Sequence, residues 1–66
     1  MRVTLNGQSR DVAKGLSLAD VVAQLTDAPR GIAVALNAAV VPRGNWAATT
    51  LADDDRIEVL TAVQGG

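Results

Sequence analysis

The residues of this sequence that most clearly indicate a chemical reaction are the last two, Gly65 and Gly66, which closely follow a hydrophobic segment. We expect the chain to end in a free carboxylate on Gly66. A carboxylate is a poor electrophile because its charge repels nucleophiles, but coupling to a nucleotide phosphate creates a good leaving group. Glycine suits this chemistry because it leaves the carbonyl unhindered and can pass through a narrow slot in an extended shape. The tail therefore predicts activation of the Gly66 carbonyl.

The alternative interpretation of the tail is a disordered end or a remnant of cloning, since termini are often loose and tags often contain glycine. The sequence starts at Met1 and contains no recognisable tag. We therefore favour a functional tail.

The chain itself lacks the usual catalytic groups. It has no Cys and no His, which removes the thiol nucleophile, the usual general base and the commonest metal ligands. Asp11, Asp20 and Glu58 could act as acids or bases, but the sequence offers them no nucleophile or second polar partner. It contains no phosphate-binding loop motif either. We expect a protein that is not an enzyme and that a separate enzyme activates.

Size and charge narrow the class of protein further. The 66 residues suffice for one small domain, and 48% of them are hydrophobic, which supports a core. The net charge is −1 without a basic stripe, so we expect no nucleic-acid partner. The longest apolar stretch, 31–42, is too short to cross a membrane, and the N-terminus does not resemble a signal peptide. We expect a cytoplasmic protein without membrane contact that is a monomer when free.

The N-terminal segment predicts a β-hairpin. Val3 and Leu5 alternate with polar residues, and Asn6-Gly7 is the preferred pair for a type I′ turn. A two-residue turn pairs Leu5 with Gln8 and Val3 with Arg10, which leaves Val12 as the inward residue of a polar edge strand.

A helix follows over residues 18–26. Ser17 and Asp20 form a capping-box pattern at its start, and Pro29 ends it. Its apolar face carries, at helical spacing, Leu18, Val21, Val22 and Leu25. We expect this face, including Leu25, to pack on a sheet.

The second half of the chain predicts three more strands. Residues 32–36 alternate large and small apolar side chains, which suits a strand at least partly covered on both faces. Val40-Val41 predicts a short strand stopped by Pro42, and a loop or single helical turn runs over 44–51. The last strand is 56–63. This order predicts an α+β fold of the β-grasp type, with one main helix packed on one face of a small mixed sheet.

The last strand also predicts a partner surface. If Ile57, Val59 and Val63 face the helix, then Leu60 and Ala62 face solvent directly before the tail. Single exposed apolar residues are common and need no explanation. Beside the tail, we favour Leu60 and Ala62 as a docking surface.

Two other features could indicate a ligand site. The three carboxylates Asp53–Asp55 could hold a cation, but no calcium-loop spacing surrounds them, so we expect a solvated turn and no metal. Trp46 could recognise a partner, but we expect it to fill the core.

Several motifs resemble one known family in order and spacing. They are "LNG" at 5–7, "VALN" at 34–37, "VPRGNW" at 41–46, "DRIEV" at 55–59 and "AVQGG" at 62–66. Over essentially the whole chain they are similar to the sulfur carrier proteins of thiamine biosynthesis, the ThiS family. Two places depart from the family pattern. Asp53–Asp55 stands where Asp-Gly-Asp is frequent, which predicts a left-handed Asp54 or a different turn, and Ala38-Ala39 puts in question any partner contact there.

The resemblance implies a ubiquitin-like β-grasp domain at 1–63 with a flexible tail at 64–66. An adenylating enzyme that uses ATP and Mg²⁺ activates the Gly66 carboxylate, so this chain binds no cofactor itself. A persulfide from a cysteine desulfurase or another donor then produces a thiocarboxylate, whose sulfur passes to thiazole synthase. Gly65 belongs to the reactive tail, and Val63 and Gln64 form its approach.

Other functions remain open because the Gly-Gly end is shared more widely. The chain could be the small subunit of molybdopterin synthase, or a ubiquitin-like modifier joined through Gly66 to lysines of other proteins. It could also be an interaction domain for which the tail is irrelevant.

Overall fold

A computed structural model of the protein describes residues 1–25 and 31–61. Its elements are, in chain order, β1 (Arg2–Leu5), β2 (Gln8–Asp11), α1 (Leu18–Leu25), β3 (Ile32–Leu36), β4 (Ala39–Val40), a 3₁₀ helix (Arg43–Asn45) and β5 (Arg56–Thr61). The strands form one sheet in the order β2-β1-β5-β3-β4. β1 and β5 are parallel, and the other neighbours are antiparallel. Within the described residues this is the small mixed sheet with one main helix that the sequence predicts.

The first hairpin has the predicted turn and register. Asn6 and Gly7 have φ angles of 48° and 84°, and positive φ at both central residues is the mark of a type I′ turn. Leu5 pairs with Gln8 and Val3 pairs with Arg10, as a two-residue turn requires. Every residue of β2 is exposed, which confirms a polar edge strand.

The second hairpin was only partly predicted. β3 and β4 are joined by Asn37 and Ala38, whose φ angles of 50° and 72° also indicate a type I′ turn. Ala38 adopts this conformation against the preference of L-residues for negative φ, so the sequence gives no clear turn signal here. β4 lies one residue earlier than predicted, and Val41 follows it, donating its N–H to the Val34 carbonyl at 2.9 Å.

The core lies between α1 and one face of the sheet. Its buried residues come from the sheet, the helix and the loop before β5, and they are Val3, Leu5, Leu18, Val21, Val22, Val34, Trp46, Leu51 and Ile57. Trp46 fills this core as predicted, and its indole Nε1 donates a hydrogen bond to the Val41 carbonyl at 2.8 Å. Half-buried Val12 packs against the same cluster.

Hydrogen bonds to side chains and to a neighbouring loop cap the N-terminus of α1. Ser17 N–H donates to Asp20 Oδ2 at 2.9 Å, and Asp20 N–H donates to Ser17 Oγ at 3.1 Å, which confirms the capping box. The next two N–H groups, of Leu18 and Ala19, donate to carbonyls of the loop before β5, namely those of Thr49 and Trp46. The first turn of the helix therefore fixes the loop that supplies Trp46 to the core.

The prediction that Leu25 belongs to the core is wrong. Leu25 ends α1 and its side chain is 37% exposed. The loop that carries Trp46 and Leu51 is hydrogen-bonded to the first turn of α1, at the opposite end of the helix from Leu25. The expected helical residue Thr26 and the stop at Pro29 lie outside the described residues.

Leu18 and Leu25 form a matched pair for testing this packing. Leu18→Ala should destabilise the protein by about 2–5 kcal/mol, since Leu18 is 0% exposed and its truncation leaves a cavity. Leu25→Ala should cost only about 1 kcal/mol, because part of that side chain already contacts water. Urea denaturation measures both values. Equal losses of unfolding free energy in the two variants would contradict a core that includes Leu18 and leaves Leu25 at its edge.

The capping box predicts a pH dependence of stability. Hydrogen bonds from the Ser17 N–H and then from its hydroxyl hold the pKa of Asp20 below its ordinary value of 3.8. A carboxylate with a lowered folded-state pKa stabilises the fold above its unfolded pKa, and that contribution is lost as pH falls through the folded value. Asp20→Asn should therefore cost most stability near neutral pH, and the difference from the parent should shrink on acidification below about pH 4.

Denaturation of both proteins at a series of pH values measures this difference. Asp54→Asn is the matched control, since it also removes one carboxylate and Asn tolerates the positive φ of this position. A difference between parent and Asp20→Asn that stays constant with pH would contradict the role of the Asp20 charge.

Candidate functional site

The strand that leads to the Gly-Gly tail is the middle strand of the sheet. β5 lies between β1 and β3. Its side chains alternate as predicted: Ile57 is buried, Val59 is half-buried against the core, and Leu60 is 66% exposed. Ala62, Val63, Gln64, Gly65 and Gly66 lie outside the described residues, so their proposed roles stay predictions.

An apolar patch surrounds Leu60 on the face of the sheet opposite α1. Leu60 pairs with Ala33, and Ala35 pairs with Val40 across the next strand boundary. Cross-strand partners project to the same face, so these four side chains adjoin one another. Val40 is 73% exposed. We call Ala33, Ala35, Val40 and Leu60 the apolar patch.

The sequence predicted only part of this patch. Leu60 was expected to be exposed, but Val40 was not singled out, and β3 was expected to be at least partly covered on both faces. Ala35 is half-buried, whereas Ala33 is exposed, so that expectation is wrong for Ala33. The small side chains of β3 were the available signal, because alternate alanines leave a flat, low surface between Leu60 and Val40.

Charged residues continue the same face of the sheet beyond the patch. Glu58 pairs with Ala35 and therefore lies beside the patch, and Arg56 pairs with Thr4 farther along β5. Farther still, Arg2 and Asp11 form an ion pair at 3.4 Å, with both side chains well exposed. Such an exposed pair contributes little to stability. A partner on this face meets an apolar area with mixed charges along one side.

Two asparagines from the hairpin turns bind β5 directly. Asn6 Nδ2 donates to the Val59 carbonyl at 3.2 Å, and Val59 N–H donates to Asn6 Oδ1 at 2.8 Å. Asn37 Oδ1 accepts the Arg56 N–H at 2.9 Å, and Asn37 Nδ2 donates to Asp55 Oδ1 at 3.0 Å. Sequence reasoning identified both residues only as parts of motifs and missed these contacts, which join positions far apart in the chain.

The three aspartates before β5 form a hydrogen-bonded turn. Asp54 has a φ of 69°, the left-handed conformation that was predicted as one of two possibilities. Asp53 Oδ1 accepts the Arg2 N–H at 2.8 Å, and Asp55 Oδ2 accepts the Ala52 N–H at 2.7 Å. Two of the carboxylates thus satisfy backbone donors. Within 1–25 and 31–61, we find no group of three or more acidic, Cys or His residues placed to hold a metal ion.

The helices of the described segments include none with both the length and the apolar character needed to cross a membrane.

Comparison with known proteins identifies the family. The model of the ThiS family matches residues 3–66. The chain belongs to the ThiS family. It is 32% identical over 66 residues to the sulfur carrier protein ThiS of Escherichia coli, and the match covers all of both chains. The crystal structure of the thiamine biosynthesis protein ThiS from Geobacter metallireducens superimposes with a TM-score of 0.84 at 33% identity, again over both whole chains. These matches confirm the family resemblance and the β-grasp fold.

The ThiS-family chain is also similar to part of a larger protein. A thiazole synthase from Magnetococcus marinus is 39% identical to it over 66 residues, which are the whole of this chain and 20% of that protein. A second thiazole synthase, from Paramagnetospirillum magneticum, also matches over 20% of its length. The chain therefore spans about a fifth of these two relatives.

Proposed function

We propose that this chain is a sulfur carrier of thiamine biosynthesis whose Gly66 carboxylate is adenylated and then converted to a thiocarboxylate. The observation that carries the proposal is the match to the Escherichia coli sulfur carrier ThiS over the full length of both chains. The ThiS family model supports it, since the match extends through Gly66. The apolar patch, which includes Leu60 on the strand that leads to this residue, gives partners a place to dock.

The proposed chemistry needs two changes at one carbonyl. A carboxylate oxygen of Gly66 first attacks the α-phosphate of ATP, which gives an acyl adenylate and releases pyrophosphate. The terminal sulfur of a persulfide then attacks the carbonyl carbon, and the bond to the AMP oxygen breaks. A second thiol cleaves the resulting acyl disulfide, leaving the thiocarboxylate on Gly66 and forming a disulfide elsewhere. Glycine leaves this carbonyl open at each attack.

The chain contributes no catalytic group of its own to these steps. It has no Cys and no His, so the persulfide, the reducing thiol and any imidazole base belong to partner proteins. ATP and Mg²⁺ are bound by the adenylating partner. The role of this protein is to present one carbonyl to successive active sites, as a cosubstrate.

Three partners follow from the proposal. They are an adenylating enzyme related to ubiquitin-activating enzymes, a persulfide donor such as a cysteine desulfurase, and thiazole synthase. The last is supported by the two thiazole synthases that contain a segment similar to this whole chain. A carrier joined to its acceptor in some proteins is expected to bind the same acceptor when separate.

The apolar patch suits docking of these partners. Leu60 and Val40 are large apolar side chains that are 66% and 73% exposed, and adjoining exposed apolar residues of this kind mark sites of protein–protein contact. Burying a Leu side chain completely contributes about 1.5–3 kcal/mol. Leu60 lies closer to the tail than any other member of the patch in sequence, so its burial also fixes where the tail begins.

Leu60→Asp tests the patch. We expect affinity for the adenylating enzyme to fall by at least about tenfold, since burial of Leu60 is lost and a charge must be desolvated. Folding stability should fall by only about 1 kcal/mol, because the position is exposed but Asp is unfavourable within a strand. Gln24→Glu adds one negative charge on the helix side and should bind like the parent. Calorimetric titration measures all three affinities, and unchanged binding of Leu60→Asp would exclude Leu60 from the interface.

Conversion of Gly66 tests the function itself. Incubation with the adenylating enzyme, Mg²⁺, ATP and a persulfide donor should raise the intact mass by the difference between sulfur and oxygen. Fragmentation should place this gain on Gly66, and a variant lacking Gly65 and Gly66 should show none.

Other outcomes would favour the alternative functions. Isopeptide-linked conjugates through Gly66 would indicate a ubiquitin-like modifier, and a stable complex with a molybdopterin synthase large subunit would indicate its small subunit. An unmodified Gly66, with an adenylating enzyme proven active on another carrier, would contradict the sulfur-carrier proposal.

A further inference from the structure

The end of β5 is supported unequally on its two sides. β3 pairs with β5 from Ile57 as far as Thr61. β1 pairs with β5 only at Arg56 and Ile57, after which the chain turns away at Asn6. The last backbone hydrogen bond on this side runs from the Asn6 N–H to the Ile57 carbonyl at 2.9 Å. Among the described residues, β5 therefore continues beyond the end of its parallel neighbour.

The side chain of Asn6 continues the pairing where the backbone of β1 stops. Its side-chain amide carries an NH₂ donor group and a carbonyl acceptor, so it can form the same kind of hydrogen-bond pair as a peptide unit. The donor meets the Val59 carbonyl at 3.2 Å, and the acceptor meets the Val59 N–H at 2.8 Å. Both are good hydrogen-bond distances. Asn6 thus adds one further rung to the parallel ladder between β1 and β5.

We propose that Asn6 is a positioning residue that fixes the direction in which β5 delivers the tail to a partner's active site. The inference rests on the proposed function, because it assigns Asn6 a part in presenting Gly66. Asn6 acts through Val59 and does not touch the reacting atoms.

The distance from Val59 to Gly66 explains why the two hydrogen bonds between Asn6 and Val59 affect the position of Gly66. Gly66 lies seven positions after Val59, and seven residue steps threaded in an extended shape through a partner span about 23 Å. A change of about 10° in the direction of the strand at Val59 would move the far end of such a segment by about 4 Å. A misplacement of about 1 Å at a reacting group can already cost a hundredfold in rate. The pair of hydrogen bonds between Asn6 and Val59 limits this change of direction.

The second hairpin supplies a matched control. Asn37 has the same residue type, the same place in a type I′ turn and nearly the same φ, 50° against 48° for Asn6. Its amide also binds β5, but at Arg56, where the strand begins. Loss of the Asn37 side chain should therefore weaken the fold without changing how the far end of β5 is directed.

The experiment compares Asn6→Gly with Asn37→Gly, because glycine accepts the positive φ at both positions. ATP–pyrophosphate exchange with the adenylating enzyme is measured at a temperature where both variants are folded. We expect Asn6→Gly to lower kcat by about five- to thirtyfold, the worth of one to two hydrogen bonds, with KM nearly unchanged. Asn37→Gly should keep the parent kcat although its melting temperature falls.

Asn6→Asp tests whether the hydrogen bonds are responsible. Aspartate tolerates the same φ and keeps an acceptor for the Val59 N–H, but it loses the donor to the Val59 carbonyl. Its kcat should lie between those of the parent and Asn6→Gly. A kcat for Asn6→Gly equal to that of Asn37→Gly, or a change confined to KM, would overturn the assignment.

A measurement without any partner separates this inference from the proposed function. Backbone ¹⁵N order parameters at Leu60 and Thr61 should fall in Asn6→Gly and stay at the parent values in Asn37→Gly. Unchanged order parameters in Asn6→Gly would overturn the positioning role. Absence of pyrophosphate exchange with the parent protein would contradict the proposed function, whereas a fall in the order parameters would still support Asn6 as the residue that directs the end of β5.

Discussion

The structure depends on the insertion of β5 between β1 and β3. Without β5 the two hairpins share no edge, and the core residues Val3 and Val34 lie on separate pieces of sheet. The hydrogen bonds between the first hairpin and β5 link residues more than fifty positions apart, such as Asn6 and Val59. Closing so long a loop costs entropy before any contact forms. The strand that completes the core is also the strand that leads to the tail.

The local features of the fold could be predicted from the sequence because short-range physics decides them. The Asn6-Gly7 turn, its register and the Ser17–Asp20 capping box follow from residue type and spacing alone. The alternation of β5 likewise placed Leu60 on the surface. The rest of the fold depended on contacts between residues far apart in the chain. Leu25 has the same apolar helical spacing as the buried residues of α1, but the loop that completes the core lies at the other end of the helix. Val40 became part of the candidate site only through pairing of β4 with β3.

The two faces of the sheet serve different needs. α1 and the loop before β5 cover one face and give the small domain its core. Small residues, Ala33 and Ala35, keep the other face flat between Val40 and Leu60, so a partner can approach without displacing any element. The chain therefore stabilises itself on one side and exposes apolar surface on the other. In the proposed function the protein binds several partners in turn, and a docking face that requires no rearrangement suits this task.

In the proposed function, docking and presentation of the tail are coupled because β5 serves both. A partner that covers Leu60 contacts β5 one residue beyond Val59, where the hydrogen bonds from Asn6 end. Recognition of the folded domain would then also define where the tail starts. The chain contains neither Cys nor His, and in the proposed function each partner supplies the catalytic groups that act on Gly66. Selectivity can then come from the apolar patch, while the glycines of the tail meet the shared requirement for an unhindered carbonyl. In the proposed function these two parts have separate tasks: the face of the sheet that carries the apolar patch selects the enzyme, and the direction of β5 decides whether Gly66 reaches the place where that enzyme acts.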